Sequence, residues 1–157
     1  MEFNRHILEE NNQKVAVLEL QKSLVDLVET ALQLKQAHWN VKGKNFRSVH
    51  LELDEIIETV RAGSDEVAER IVALGTAADG RSATLVNNSR IDGYPEGFVD
   101  ARQTLKLVAD RLAQLSKALR SSIEEVGQVD PISEDLLIGI AGQLEKHLWM
   151  VQAQEEE

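Results

Sequence analysis

The chain has 157 residues, enough for one domain around one sizeable core, with 43% hydrophobic and 28% charged residues, two prolines and no cysteine. The lack of cysteine excludes disulfides, thiolate metal sites and thiol nucleophiles, and suits a reducing, cytoplasmic setting. A net charge of −10 counts against general affinity for nucleic acid, and fits a protein that handles cations or one that is merely kept soluble by its charge.

No apolar run behind a basic segment suggests a signal peptide, and no stretch approaches the roughly 18 apolar residues of a membrane span. Residues 1–14 are polar and of mixed charge, and read as an N-terminal lead-in rather than a basic arm. From about Val15 to His38, the apolar residues Val17, Leu20, Leu24, Leu27, Val28, Ala31 and Leu34 recur at helical spacing. Asn40-Val41-Lys42-Gly43 breaks that pattern. A second helix starts near Asn45, with its stripe on Val49, Leu53, Ile56, Ile57, Val60, Val67, Ile71 and Leu74. Gly63 interrupts it, which costs about 1 kcal/mol relative to alanine and implies a close-packed neighbour.

Residues 75–97 are rich in turn formers and make a long crossover, with a short helix expected around Leu85 and Val86. Such a crossover allows two helices of a bundle to run parallel. The third long helix is expected from about Phe98 to Val126, ended by Gly127. Asp130-Pro131 opens the fourth as N-cap and first helical residue, with Glu134 and Asp135 in a first turn that favours acids. Residues 153–157 form an acidic tail. No strand alternation is visible, so the fold class is all-α: a four-helix bundle occupying residues 1–157 as one domain.

The second helix concentrates metal-ligand chemistry. His50 and Asp54 are four residues apart, as are Asp65 and Glu69, so each pair shares a face. Asp54 and Asp65 are eleven residues apart, which brings them within roughly 20° of each other around the helix but about 16 Å apart along it. Metal–ligand bonds are only about 2 Å long, so the two pairs cannot grip one ion within a chain. They meet only if two copies of the helix lie antiparallel across a two-fold axis, giving two shared sites per dimer. Imidazole with carboxylate suits iron, manganese or zinc. Singly, such a histidine is more often a surface or satisfied core residue and such a carboxylate a solvated charge; the full set on one face favours a metal. His147 reads as structural, and His6 is unassigned.

From Leu34 to Gly75 the segment LKQAHWNVKGKNFRSVHLELDEIIETVRAGSDEVAERIVALG resembles the signature of the Dps family (DNA-binding proteins from starved cells), a branch of the ferritin-like proteins. The stretch Leu144-Glu145-Lys146-His147-Leu148-Trp149 is similar to that family's last helix. The resemblance implies a hollow homododecamer built from two-fold dimers, with a ferroxidase centre between subunits. His38, His50 and Asp54 would come from one chain, and Asp65 and Glu69 from its partner. It implies oxidation of ferrous iron, by hydrogen peroxide in preference to dioxygen, and storage of ferric mineral that protects the cell from oxidative damage. Zinc is a competing ion. Trp39, beside His38, would quench stray oxidising equivalents, pack at the dimer contact, or both. Asp135 is the best match to the acids lining the family's iron-admitting pores, ahead of Glu134 and of Asp130, which reads better as a cap.

Three other readings compete. A conventional ferritin would carry Glu-x-x-His pairs, and no glutamate here has a histidine three residues later. A scaffold without chemistry would bind no iron. A DNA-compacting, nucleoid-associated protein would need the basic tails with which DNA-binding members of the family engage DNA, and this C-terminus is acidic. DNA binding is therefore expected to be weak or absent: a gel-shift at moderate salt should leave DNA unshifted, and tight binding there would refute this reading of the charge.

Overall fold

The computed structural model describes residues 5–155. Among them the order is α1 (Glu10–Asn40), β1 (Val41–Lys42), α2 (Phe46–Ala73), α3 (Ser82–Asn88), β2 (Val99–Asp100), α4 (Ala101–Gly127) and α5 (Pro131–Gln152). Four long helices enclose one apolar core, in which Leu20, Leu27 and Leu34 of α1 meet Leu53, Ile56 and Ile71 of α2 and Leu112, Leu115 and Leu119 of α4. Leu137 and Leu144 of α5 close it. No helix among the described residues is long and apolar enough to cross a membrane.

α1 begins five residues before the start its apolar stripe suggests, so the latter part of the expected lead-in is helical. Its first turn is stabilised by a Lys14–Glu10 ion pair and by Gln13, whose side chain donates to the Leu74 carbonyl at the far end of α2. Apolar periodicity carries no signal for such contacts. Residues 1–4 of the lead-in and 156–157 of the acidic tail lie outside the described residues.

The break after α1 is a sharp corner, with Gly43 at φ 94° and Asn45 at φ 66°. Leaving it, Val41 and Lys42 pair in parallel with Val99 and Asp100. Two-residue strands are too short to show alternation, so the sequence does not announce this pairing. It also delays α4: the helix starts at Ala101 rather than Phe98, because Val99 and Asp100 are held in β2 and Asp100 then caps the helix by accepting from the Gln103 amide. The pairing sets the starts of α2 and α4 at the same end of the bundle, so these helices run parallel, as the long crossover permits.

The crossover is strapped onto α1. Fully buried Asp26 accepts from the Arg90 amide at 2.8 Å and from its Nε at 2.7 Å, and Gln21 exchanges hydrogen bonds with the Asp79 backbone. The short helix expected at Leu85 is α3, and Leu85 is buried. Gly127 is the last residue of α4 but not a left-handed cap, since it is absent from the glycines with positive φ. Instead the turn brings the Glu134 carboxylate to 2.6 Å from where a Cβ on Gly127 would stand.

Asp130 caps α5, as its sequence context indicates, by accepting from the Ile132 amide. It is also the centre of a clasp between the end of α2 and the start of α5. Arg70 donates from Nη2 to Asp130 Oδ2 at 2.8 Å and from Nε to Ser133 Oγ at 2.9 Å, and Ser133 donates to Asp130. Burial pushes the Asp130 carboxyl up, but hydrogen bonds from Arg70 and Ser133 and the Arg70 charge outweigh it and hold the group below the usual carboxylate range.

Two outcomes follow. The Cβ of an alanine at Gly63 would stand 3.0 Å from Ile140 Cγ2, which is the close neighbour its position in the stripe calls for. Gly63→Ala should be close to neutral, the tight contact offsetting better helix propensity, whereas Gly63→Val should lower unfolding free energy by about 1–3 kcal/mol in urea titrations. Asp130→Asn keeps a cap but leaves the Arg70 charge without its partner, and should cost on the order of 3 kcal/mol at neutral pH. Because the folded carboxyl titrates below its unfolded value of about 3.9, its contribution is present above about pH 4 and is lost as pH falls through the folded value. Thermal unfolding of the two proteins should therefore differ at pH 7 and converge in stronger acid.

Candidate metal centre

The corner between α1 and α2 brings the last turn of one helix against the first turns of the next. There the rings of His38 and His50 stack, with centroids 3.7 Å apart and planes 21° apart, and the Phe46 ring lies 5.1 Å from that of His50. Each imidazole engages the other residue's backbone: His38 Nδ1 lies 2.9 Å from the His50 carbonyl oxygen, and His50 Nδ1 lies 2.9 Å from that of His38. A carbonyl oxygen can only accept, so each Nδ1 carries the proton. In the neutral imidazole each Nε2 then keeps its lone pair, the arrangement in which histidine ligates a metal while its other nitrogen is oriented by a hydrogen bond. The exchange also occupies the His38 carbonyl, one of the last four of α1, which have no intrahelical partner.

His38 is 6% exposed, and its Nδ1 lies 3.3 Å from Asp54 Oδ1. Asp54 sits one turn beyond His50, with its side chain half exposed. Lys35 of α1 donates to the same Oδ1 at 2.7 Å, and this hydrogen bond, with the charges of Lys35 and the two histidines, outweighs burial and holds the carboxyl below the usual carboxylate range. Asp54 is thus an ionised carboxylate that already pairs with a cation, the Lys35 ammonium. Sequence reasoning missed Lys35, although its place three residues before His38, on the same face of α1, was a usable signal.

The structure brings His38, His50 and Asp54 together and leaves Asp65 and Glu69 apart from them. Both acids are exposed on α2, and neither makes a hydrogen bond or ion pair among the described residues. No group of three or more potential ligands within one chain converges as a metal site there. Trp39 is 66% exposed beside the buried His38. Of the acids near the start of α5, Asp135 is exposed, Glu134 is tucked against the α4–α5 turn, and Asp130 is buried in its clasp and unavailable to a pore. His147 is structural: Thr59 Oγ1 lies 2.9 Å from its Nε2, tying α5 to α2, and burial pushes its pKa down.

A model of the ferritin-like domain matches residues 17–157. The fine tangled pili major subunit of Haemophilus ducreyi is 43% identical over 134 residues, 85% of this chain and 71% of that protein. The DNA protection during starvation protein of Mycolicibacterium smegmatis is 38% identical over 134 residues, 85% of this chain and 73% of that protein. Among solved structures, the tetragonal form of Mycobacterium smegmatis Dps superposes with a TM-score of 0.93 at 34% identity, covering 100% of this chain and 95% of that one.

Proposed function

The chain belongs to the Dps branch of the ferritin-like family, and on that premise we propose that it is a ferroxidase that takes up ferrous iron, oxidises it and stores the ferric product inside a hollow dodecamer. The observation that carries this reading is the paired imidazoles of His38 and His50. In the neutral imidazoles the Nδ1 protons are committed to carbonyl oxygens, which leaves the Nε2 lone pairs for a cation, and the ionised carboxylate of Asp54 lies 3.3 Å from His38 Nδ1. That set is half of a coordination sphere. Asp65 and Glu69, exposed and unpartnered on the same helix, supply the other half to a second copy of the chain.

Mixed imidazole and carboxylate donors suit ferrous iron, and hard oxygen ligands favour the ferric product further. With peroxide as oxidant, two ferrous ions each give up one electron, the O–O bond breaks, and two protons are taken up to leave two waters. No hydroxyl radical is released, which is the protective part of the function. Trp39 would intercept oxidising equivalents that escape, pack at the dimer contact, or both, and Asp135 would attract cations at a pore. Zinc, which accepts the same donors, would compete for the centre.

Ferroxidation followed separately with peroxide and with dioxygen should run faster with peroxide; a faster reaction with dioxygen would reassign the oxidant. Asp54→Ala and Glu69→Ala should each lower the rate by more than the roughly 10–100-fold that follows loss of a residue merely hydrogen-bonded to a ligand. Co-assembled in equal amounts, the two inactive variants should recover about a quarter of the wild-type rate. Half the dimers would be mixed, and in each of these one of the two shared sites would hold only intact ligands. No recovery in mixed assemblies would mean that the centre lies within one polypeptide.

A further inference from the structure

Glu69 lies in the last stretch of α2, four residues before its final residue, where helices fray. Its side chain has no partner among the described residues, so its position depends on whatever fixes the backbone of that turn. The next residue is Arg70, whose guanidinium reaches across to the first turn of α5 and bonds Asp130 and Ser133 at two points. These acceptors are 2% and 0% exposed, so water does not compete for them. A planar fork held at two points restricts the turn that carries it more than a single contact would. Glu69 is about 100° around α2 from Arg70, and any rotation of the turn is passed directly to its carboxylate.

We infer that Arg70 is a positioning residue for the iron centre: its clasp on Asp130 and Ser133 holds the turn of α2 that presents Glu69, and ties that presentation to the start of α5. The inference rests on the proposed role of Glu69 as an iron ligand. It adds a residue that touches no iron and acts through the backbone of its neighbour. The clasp sits at the first turn of α5, which also carries Glu134.

The test is anaerobic Fe(II) titration of assembled particles of wild-type size, well below their unfolding temperature. Arg70→Lys keeps the charge but loses the fork, and should weaken Fe(II) binding by about 10–100-fold. Ser133→Ala removes one of the two anchor points with little change of volume, and should weaken it by about tenfold or less; this variant decides the matter if Arg70→Lys fails to assemble. Arg70→Lys combined with Glu69→Gln should bind no worse than Glu69→Gln alone, because one residue acts through the other. Wild-type isotherms from intact Arg70→Lys and Ser133→Ala particles would overturn the inference, even with a lowered melting temperature. So would additive losses in the double variant. A wild-type isotherm from Glu69→Gln would instead overturn the proposed centre itself.

Discussion

An α-helix rises about 1.5 Å per residue, and that fixed pitch governs how this protein can hold a cation. α2 carries the two proposed ligand pairs on one face but separates them by far more than the span of a coordination sphere. If both pairs hold one ion, the separation turns a property of one helix into a requirement for assembly. A chain alone offers two imidazole lone pairs and a carboxylate at one end of α2, and two free carboxylates further along. On the proposed reading, chemistry begins only where two chains meet.

Both ends of α2 are held accordingly. At its start, the exchange of Nδ1 hydrogen bonds between His38 and His50 joins it to α1, and the pairing of β1 with β2 braces the corner from the side of α4. At its other end, Arg70 bolts it to the capped start of α5. Between them, Gly63 lets Ile140 of α5 approach the backbone closely. Side chains on a helix fixed at both ends are presented with little freedom, which is what the proposed shared site would need, since neither chain could adjust the other's half.

What could be read from the sequence was local. The spacing of His50 and Asp54, the turn residues of the crossover, the Asp130-Pro131 cap and the misplaced Gly63 all lie within a few residues of the pattern that reveals them. The start of α1 was misplaced because Gln13 answers to Leu74, 61 residues on. The start of α4 was misplaced because two-residue strands have no periodicity and their partners are distant. The clasp of Arg70 leaves no local pattern for the same reason, whereas Lys35, one helical turn from His38, lies within reach of the local pattern.

The two half-sites differ in how far along the chain their supports lie. His38 and His50 secure each other across 12 residues, within one helical hairpin. The turn bearing Glu69 relies on residues 60 and 63 positions downstream. During synthesis the imidazole corner can therefore form while α4 and α5 are still in the ribosome, but the carboxylate half takes its final place only once α5 has emerged and docked. On the proposed reading, an unfinished chain has no means of completing the centre for a neighbour, so iron oxidation would wait until α5 has docked.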